Sequence, residues 1–187
     1  MRTTWAIARR EFLTYFNSPI AYVFITVFLA FSTWLFFRSF FLFGQAEMRS
    51  FFVLLPWTFL VFIPAVTMRL WAEERKLGTF ELLMSFPVTT VQSVLGKFVA
   101  GVAFVVITLA LSFPLPAAVA YLGDPDWGPI LGGYAGALLM ASAYLAIGCF
   151  LSSITENQII AFILTALALF LLYVMSDDIV LSALPGF

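Results

Sequence analysis

Five apolar stretches, at about residues 19–41, 51–71, 90–113, 130–151 and 159–175, dominate the sequence. A helix of roughly 20 apolar residues crosses the hydrocarbon of a bilayer, so each stretch is long enough or nearly so to span it. No other feature limits the fold so severely. Inside lipid the backbone must satisfy its own polar groups, which leaves packed helices as the expected solution for runs of this kind. Composition agrees with that reading. Of the 187 residues, 63% are hydrophobic, 10% are charged and 23 are Phe, more apolar surface than a soluble domain of this length can bury. The expected architecture is therefore an all-α polytopic membrane protein, one domain over residues 1–187, with five spans.

A helix lying at the membrane surface is expected before the first span, over residues 3–17. Trp5, Ala8, Phe12 and Phe16 recur at helical spacing, with Arg9 and Arg10 turned away from that stripe. Trp5, Arg9, Arg10, Glu11 and Phe12 are its candidate interfacial residues. The plainer alternative is a simple extension of the first span. Arg2, Arg9 and Arg10 resemble a basic leader, but the apolar run after them is about twice the usual leader core, so the first span is expected to remain as an anchor. Ser18 can cap that span, with Pro19 at its first helical position. Pro56 and Pro64 fall inside the second span, and the third is expected to loosen at Pro114 and Pro116. The fourth carries small residues four apart, Gly132 with Gly136, and Gly133 with Ala137 and Ala141, which let helices approach closely. That face is a seam between two copies or a packing face within one chain.

Lys and Arg counts predict the orientation. With the N-terminus inside the cell, Arg2, Arg9, Arg10, Arg69, Arg75, Lys76 and Lys97 lie on the cytoplasmic side, against Arg38 and Arg49 outside. The middle of each span is expected to be free of charge, which counts against an ion-coupled carrier. No histidine is present and Cys149 is the single cysteine, which excludes an internal disulfide and the usual metal-ligand spacings. Cys149 is read as packing. A net charge of -1 gives no case for nucleic acid. No nucleophile sits beside a candidate base, and "LGKF" at 95–98 lacks the glycine and hydroxyl of a phosphate-binding loop, so the chain is not expected to be an enzyme or to bind a cofactor or metal itself.

Against this background, "WAEERKLGTFELLMSFP" at 71–87 concentrates charge between two spans. Thr67–Lys76 is expected to prolong the second helix, with Arg75 and Lys76 complementing its dipole and Gly78 ending it. Thr79 can cap a second short helix over 79–86, with Glu81 in its first turn and Pro87 closing it. Phe80, Leu83 and Met84 share one side of that helix. Locally, an ordinary charged loop that fixes topology explains the stretch equally well.

The wording of "MRLWAEERKLGTFELLMSFPV" resembles the signature between the second and third spans of type-2 ABC exporter permeases. "REFLTYFNSPIAYVF", "PWTFLVFIPAVTMRLWAEERK", "LGKFVAG", "LGDPDWGPILGGYAG" and "AIGCFLSSITENQIIAF" are similar, in order, to the gliding-motility permease branch of that family. The resemblance implies a permease in the bacterial inner membrane, paired with a second permease subunit. A separate cytoplasmic ATPase would hold the ATP and Mg. It implies that the helix over 79–86 docks on that ATPase as a coupling helix, with Glu73, Glu74, Arg75, Lys76, Gly78, Thr79, Glu81 and Leu82 as the coupling residues. Phe80, Leu83 and Met84 would be the apolar anchor. It likewise makes the N-terminal helix the family's interfacial connecting helix. The family ordinarily has six spans; here five are followed by "DDIVLSALPGF", which implies a shortened chain or a last span supplied from elsewhere. A membrane anchor or regulatory subunit that moves no substrate is the alternative function.

Overall fold

The computed structural model describes residues 2–43, 48–79, 88–123 and 125–176, and these form helices with no strand among them. In chain order they are α1 (Arg2–Asn17), α2 (Pro19–Phe43), α3 (Arg49–Thr67), α4 (Ala72–Lys76), α5 (Thr90–Leu111), α6 (Pro114–Leu122), α7 (Trp127–Ile154) and α8 (Gln158–Met175). Five segments are long and apolar enough to cross a membrane: Pro19–Arg38, Arg49–Lys76, Thr90–Leu122, Trp127–Ile154 and Gln158–Met175. The all-helical architecture with an N-terminal helix and five spans is thus the one expected. Two crossings are built in pieces, α3 with α4 and α5 with α6.

Local chemistry explains where the helices begin. Thr89 and Gln92 form a reciprocal capping box at the start of α5, each side chain accepting the other's backbone N–H at 3.3 Å. Asp126 accepts from the Gly128 N–H at 3.0 Å before α7, and Asn157 from the Ile159 N–H at 2.9 Å before α8. The polar turn at "SSITENQ" therefore starts the last span through its asparagine. The third crossing does loosen near Pro114: α5 stops at Leu111 and α6 restarts with that proline in its first turn.

Helix α3 lies at the centre, packed on α2, α7 and α8, while α5 lies between α1 and α7. Much of the phenylalanine content forms a chain of rings through this core. Phe28 of α2 lies 4.9 Å from Phe62 of α3, Phe62 lies 6.0 Å from Phe104 of α5, and Phe104 stacks at 5.2 Å on Tyr15 of α1. Such pairs stabilise by about 0.5–1.5 kcal/mol beyond the area they bury. Some buried hydroxyls return their hydrogen bonds to their own helix, as Thr108 does to the Phe104 carbonyl at 2.9 Å and Thr165 to the Ala161 carbonyl at 2.7 Å. The aromatic residues of the first two spans divide: Phe59 is wholly buried, whereas Trp34 and Trp57 face outward.

Glycines set the closest approaches. A Cβ on Gly133 of α7 would lie 2.6 Å from the ring of Phe52, and Ala137 and Ala141 on the same helix are buried. Gly132 and Gly136 meet nothing within 4 Å. The two stripes of small residues therefore face different surroundings. On Gly148 a Cβ would collide with Thr67, whose Cβ and Cγ2 would be 2.8 Å away. Gly148→Ala is expected to lower stability by about 1–3 kcal/mol through overpacking. Gly132→Ala, placed in open space, is expected to be neutral or to stabilise by up to about 1 kcal/mol through helix propensity. Thermal unfolding of the two purified variants in one detergent checks the contrast.

Candidate functional site

The second crossing does not continue as one helix to Lys76. Helix α3 ends at Thr67, the chain turns through residues 68–71, and α4 resumes at Ala72. The cause lies on another span. Ser152 of α7, fully buried, accepts the backbone N–H of Trp71 at 3.2 Å and of Ala72 at 3.3 Å. Its own hydroxyl donates to the Met68 carbonyl at 3.3 Å. In an unbroken helix those two N–H groups would bond four residues back, so the serine takes over bonding that continuity would have supplied. The indole Nε1–H of Trp71 reaches the Cys149 sulfur at 3.2 Å, which gives that cysteine a polar contact as well as a packing role.

The resulting arm, residues 68–79, has a buried root and an exposed tip. Arg75 N–H and Leu77 N–H close the last turn onto the Trp71 and Glu73 carbonyls, each at 3.0 Å. Gly78 follows with φ +69°, the left-handed conformation that ends helices, as its place in the sequence predicted. Thr79 turns its hydroxyl back to the Glu74 carbonyl at 3.3 Å. Lys76, Leu77, Gly78 and Thr79 are all exposed, Leu77 at 66%. Phe80, Glu81, Leu82, Leu83 and Met84, with the helix expected over 79–86, lie outside the described residues except for Thr79.

At the root sits a buried charge. Lys97, one of the cations expected on the cytoplasmic side, is the eighth residue of α5 and is only 1% exposed. It lies toward the start of that crossing and not at its middle, where no charge is expected. Its ammonium has three protons, and three acceptors surround it: Glu74 Oε1 at 2.8 Å, the Leu70 carbonyl at 2.8 Å and Glu11 Oε1 at 3.1 Å. The face of Trp71 covers it, with Nζ 4.9 Å from the ring centroid. Burying an ammonium in apolar surroundings is tolerable when it is paired and hydrogen-bonded, which these contacts achieve. One lysine thereby joins the N-terminal helix, the arm and the third crossing.

Neighbouring contacts tie in the rest of the charged stretch. Arg69 grips Glu73 through two nitrogens, at 2.7 and 3.0 Å, and reaches Ser18 at 3.4 Å. The Tyr15 hydroxyl donates to the Val66 carbonyl at 3.3 Å. Burial, with Glu11 adding to it, pushes the Tyr15 pKa well above its ordinary value, so this donor stays neutral. Among the described residues no cluster of His, Cys, Asp and Glu could hold a metal.

Helix α1 runs beside α5 in the same direction. Ile7 and Thr4 fill the notch at Gly96, Glu11 meets Lys97, and Tyr15 stacks on Phe104. The face buried against the bundle therefore carries Ala8, Glu11 and Tyr15. Of the expected apolar stripe, Trp5 is 68% exposed, and Phe12 and Phe16 lie beside one another at 5.0 Å, half-buried. Arg9 and Arg10 are exposed. Glu11, one of the expected interfacial residues, thus also ties α1 to the bundle through Lys97.

Comparison with curated proteins gave no match, and comparison with solved structures gave none. The family described as ABC-2 family transporter protein matches residues 37–187, which takes in the arm and Lys97 and leaves α1 outside. A match over well more than half of the chain, on an all-helical fold with five membrane-crossing segments, shows that this chain belongs to the ABC-2 transporter family, the multi-pass membrane permeases of ABC transporters.

Proposed function

We propose that this permease is the membrane-spanning subunit of an ATP-driven exporter, paired with a second permease subunit and worked by a separate cytoplasmic ATPase that holds ATP and Mg. The arm is the coupling element. One observation supports this reading above the others: the arm is anchored at its root by Ser152 and Lys97 yet exposed at its tip from Lys76 to Thr79. A segment held this way can take a push from a partner and pass it inward, which an ordinary topology loop has no reason to do. The charges at Glu73, Glu74, Arg75, Lys76 and Glu81 would confer specific docking, with Phe80, Leu83 and Met84 as the apolar anchor, Gly78 and Thr79 shaping the turn and Leu82 among the coupling residues. The excess of Lys and Arg on the arm's side of the membrane supports a cytoplasmic N-terminus in the bacterial inner membrane. The resemblance to the gliding-motility branch is the support for placing the exporter there.

Purification of the native complex through this chain tests the proposal. An ATPase with a phosphate-binding loop is expected to stay bound. Glu74→Lys combined with Glu81→Lys is expected to leave that ATPase hydrolysing ATP while export falls to background. Full export by the double variant with normal ATPase binding would refute the coupling role. An ATPase that binds and hydrolyses while the wild-type complex moves nothing would favour the anchor or regulatory reading.

A further inference from the structure

We infer that Lys97 is the positioning residue through which the arm drives the N-terminal helix, so that α1 is a moving part of the permease rather than a passive surface anchor. This rests on the coupling role proposed above. Its basis is the geometry at one nitrogen. Lys97 Nζ binds the Leu70 carbonyl and Glu74 of the arm, and it binds Glu11 of α1, all within 3.1 Å. These partners stand 27, 23 and 86 residues from it in the chain. The lysine is 1% exposed, and its two carboxylates have side chains 18% and 20% exposed.

Burial makes the junction stiff. With little water nearby, an ammonium drawn away from both carboxylates finds little to replace them, so each contact resists separation far more than a surface pair would. All three of its donors are engaged, and the Trp71 ring closes a further side. The second oxygen of Glu74 is buried with no hydrogen-bond partner among the described residues, so Lys97 is what holds this carboxylate there. The notch at Gly96, where Ile7 would contact an added Cβ at 2.7 Å, keeps α1 close enough for Glu11 to reach. Displacement of the arm therefore carries Lys97, and Lys97 carries Glu11 with α1. The apolar outer side of α1, with Trp5 and Leu13 exposed, would then shift against whatever lies around it.

Distances between spin labels on the purified native complex in lipid nanodiscs read this motion directly. The chain has one cysteine, buried Cys149, so introduced cysteines take the label selectively. Exposed Leu13 reports α1, exposed Leu77 reports the arm, and exposed Leu167 of α8 serves as reference. Each is replaced with cysteine in pairs, and distances are compared without nucleotide and after trapping with MgATP and vanadate. In the otherwise unaltered chain, both the Leu77–Leu167 and the Leu13–Leu167 pairs are expected to shift on trapping. Glu11→Leu removes the acceptor and leaves the Lys97–Glu74 pair intact; it is expected to abolish the shift of α1 while the arm still moves. Lys97→Met is expected to abolish it too, and Lys97→Arg to restore at least half. A purely structural role would lower thermal stability without separating the two shifts. If α1 moves undiminished in Glu11→Leu, or does not move in the parent chain although the arm does, this inference is overturned and the coupling role stands. If no ATPase copurifies, or the arm itself stays still, the coupling role falls and takes this inference with it.

Discussion

Lys97→Met is expected to be the most damaging single substitution in the protein. It removes the cation from a site that keeps two carboxylates, so Glu11 and Glu74 face each other without compensation. Breaking a buried pair by deleting one partner costs about 3–5 kcal/mol, and the partial exposure of both glutamates places this case near about 3 kcal/mol. A fraction that large of a typical folding stability lowers the yield of folded protein sharply. The Leu70 carbonyl loses its partner as well. Glu11→Gln is expected to be much milder, because the amide oxygen still accepts from Lys97 and the pair with Glu74 is retained. Thermal unfolding in a single detergent, with the folded yield from membranes as a second readout, ranks the variants. Equal stability of Lys97→Met and the parent would show that the ammonium is not held as described.

Ser152→Ala comes second. The serine hydroxyl serves two backbone N–H groups and a carbonyl at the break between α3 and α4, and it is wholly buried. Each buried polar group left without a partner costs about 1–3 kcal/mol, so losing two N–H partners is expected to destabilise by at least about 2 kcal/mol. The neighbouring Ser153 provides an internal control. It is half-buried and bonds only the Phe150 carbonyl within its own helix, so Ser153→Ala is expected to stay within about 0.5 kcal/mol of the parent. Beyond stability, loss of Ser152 removes the reason for the break, and hydrogen exchange at the Trp71 and Ala72 amides is expected to rise selectively. Unchanged exchange there would mean that something other than this serine bends the chain.

These two residues also mark where reading the sequence succeeds and where it stops. The spans were legible because a long apolar run has one solution in a bilayer, and Gly78 was legible because helix ends favour a left-handed glycine. Ser18, Pro19 and the loosening at Pro114 follow from similarly local chemistry. The break at residues 68–71 was not legible, for no glycine or proline lies within it and its cause stands 80 or more residues away. Lys97 was missed for the same reason. A lysine near the start of an apolar run looks like a topology signal at a membrane surface, and only the fold brings Glu11 and Glu74 to it. The tie of Glu11 to the bundle was likewise not legible, since its arginine neighbours made the whole helix look like surface. One signal was available: "LGK" places a small residue beside the lysine, and Gly96 is the notch that admits α1.

The central claim is that the arm ending at Gly78 meets an ATPase in the cytoplasm. A photoreactive amino acid at Leu77, the most exposed apolar residue of the arm, tests it in intact cells. The account predicts a covalent adduct with a nucleotide-binding subunit, formed from Leu77 and not from Leu131 at the opposite end of the bundle, with membrane-impermeant thiol reagents failing to reach Leu77→Cys from outside. Labelling of that cysteine from the exterior, or irradiation that joins Leu77 to no ATPase while the complex is active, would contradict it.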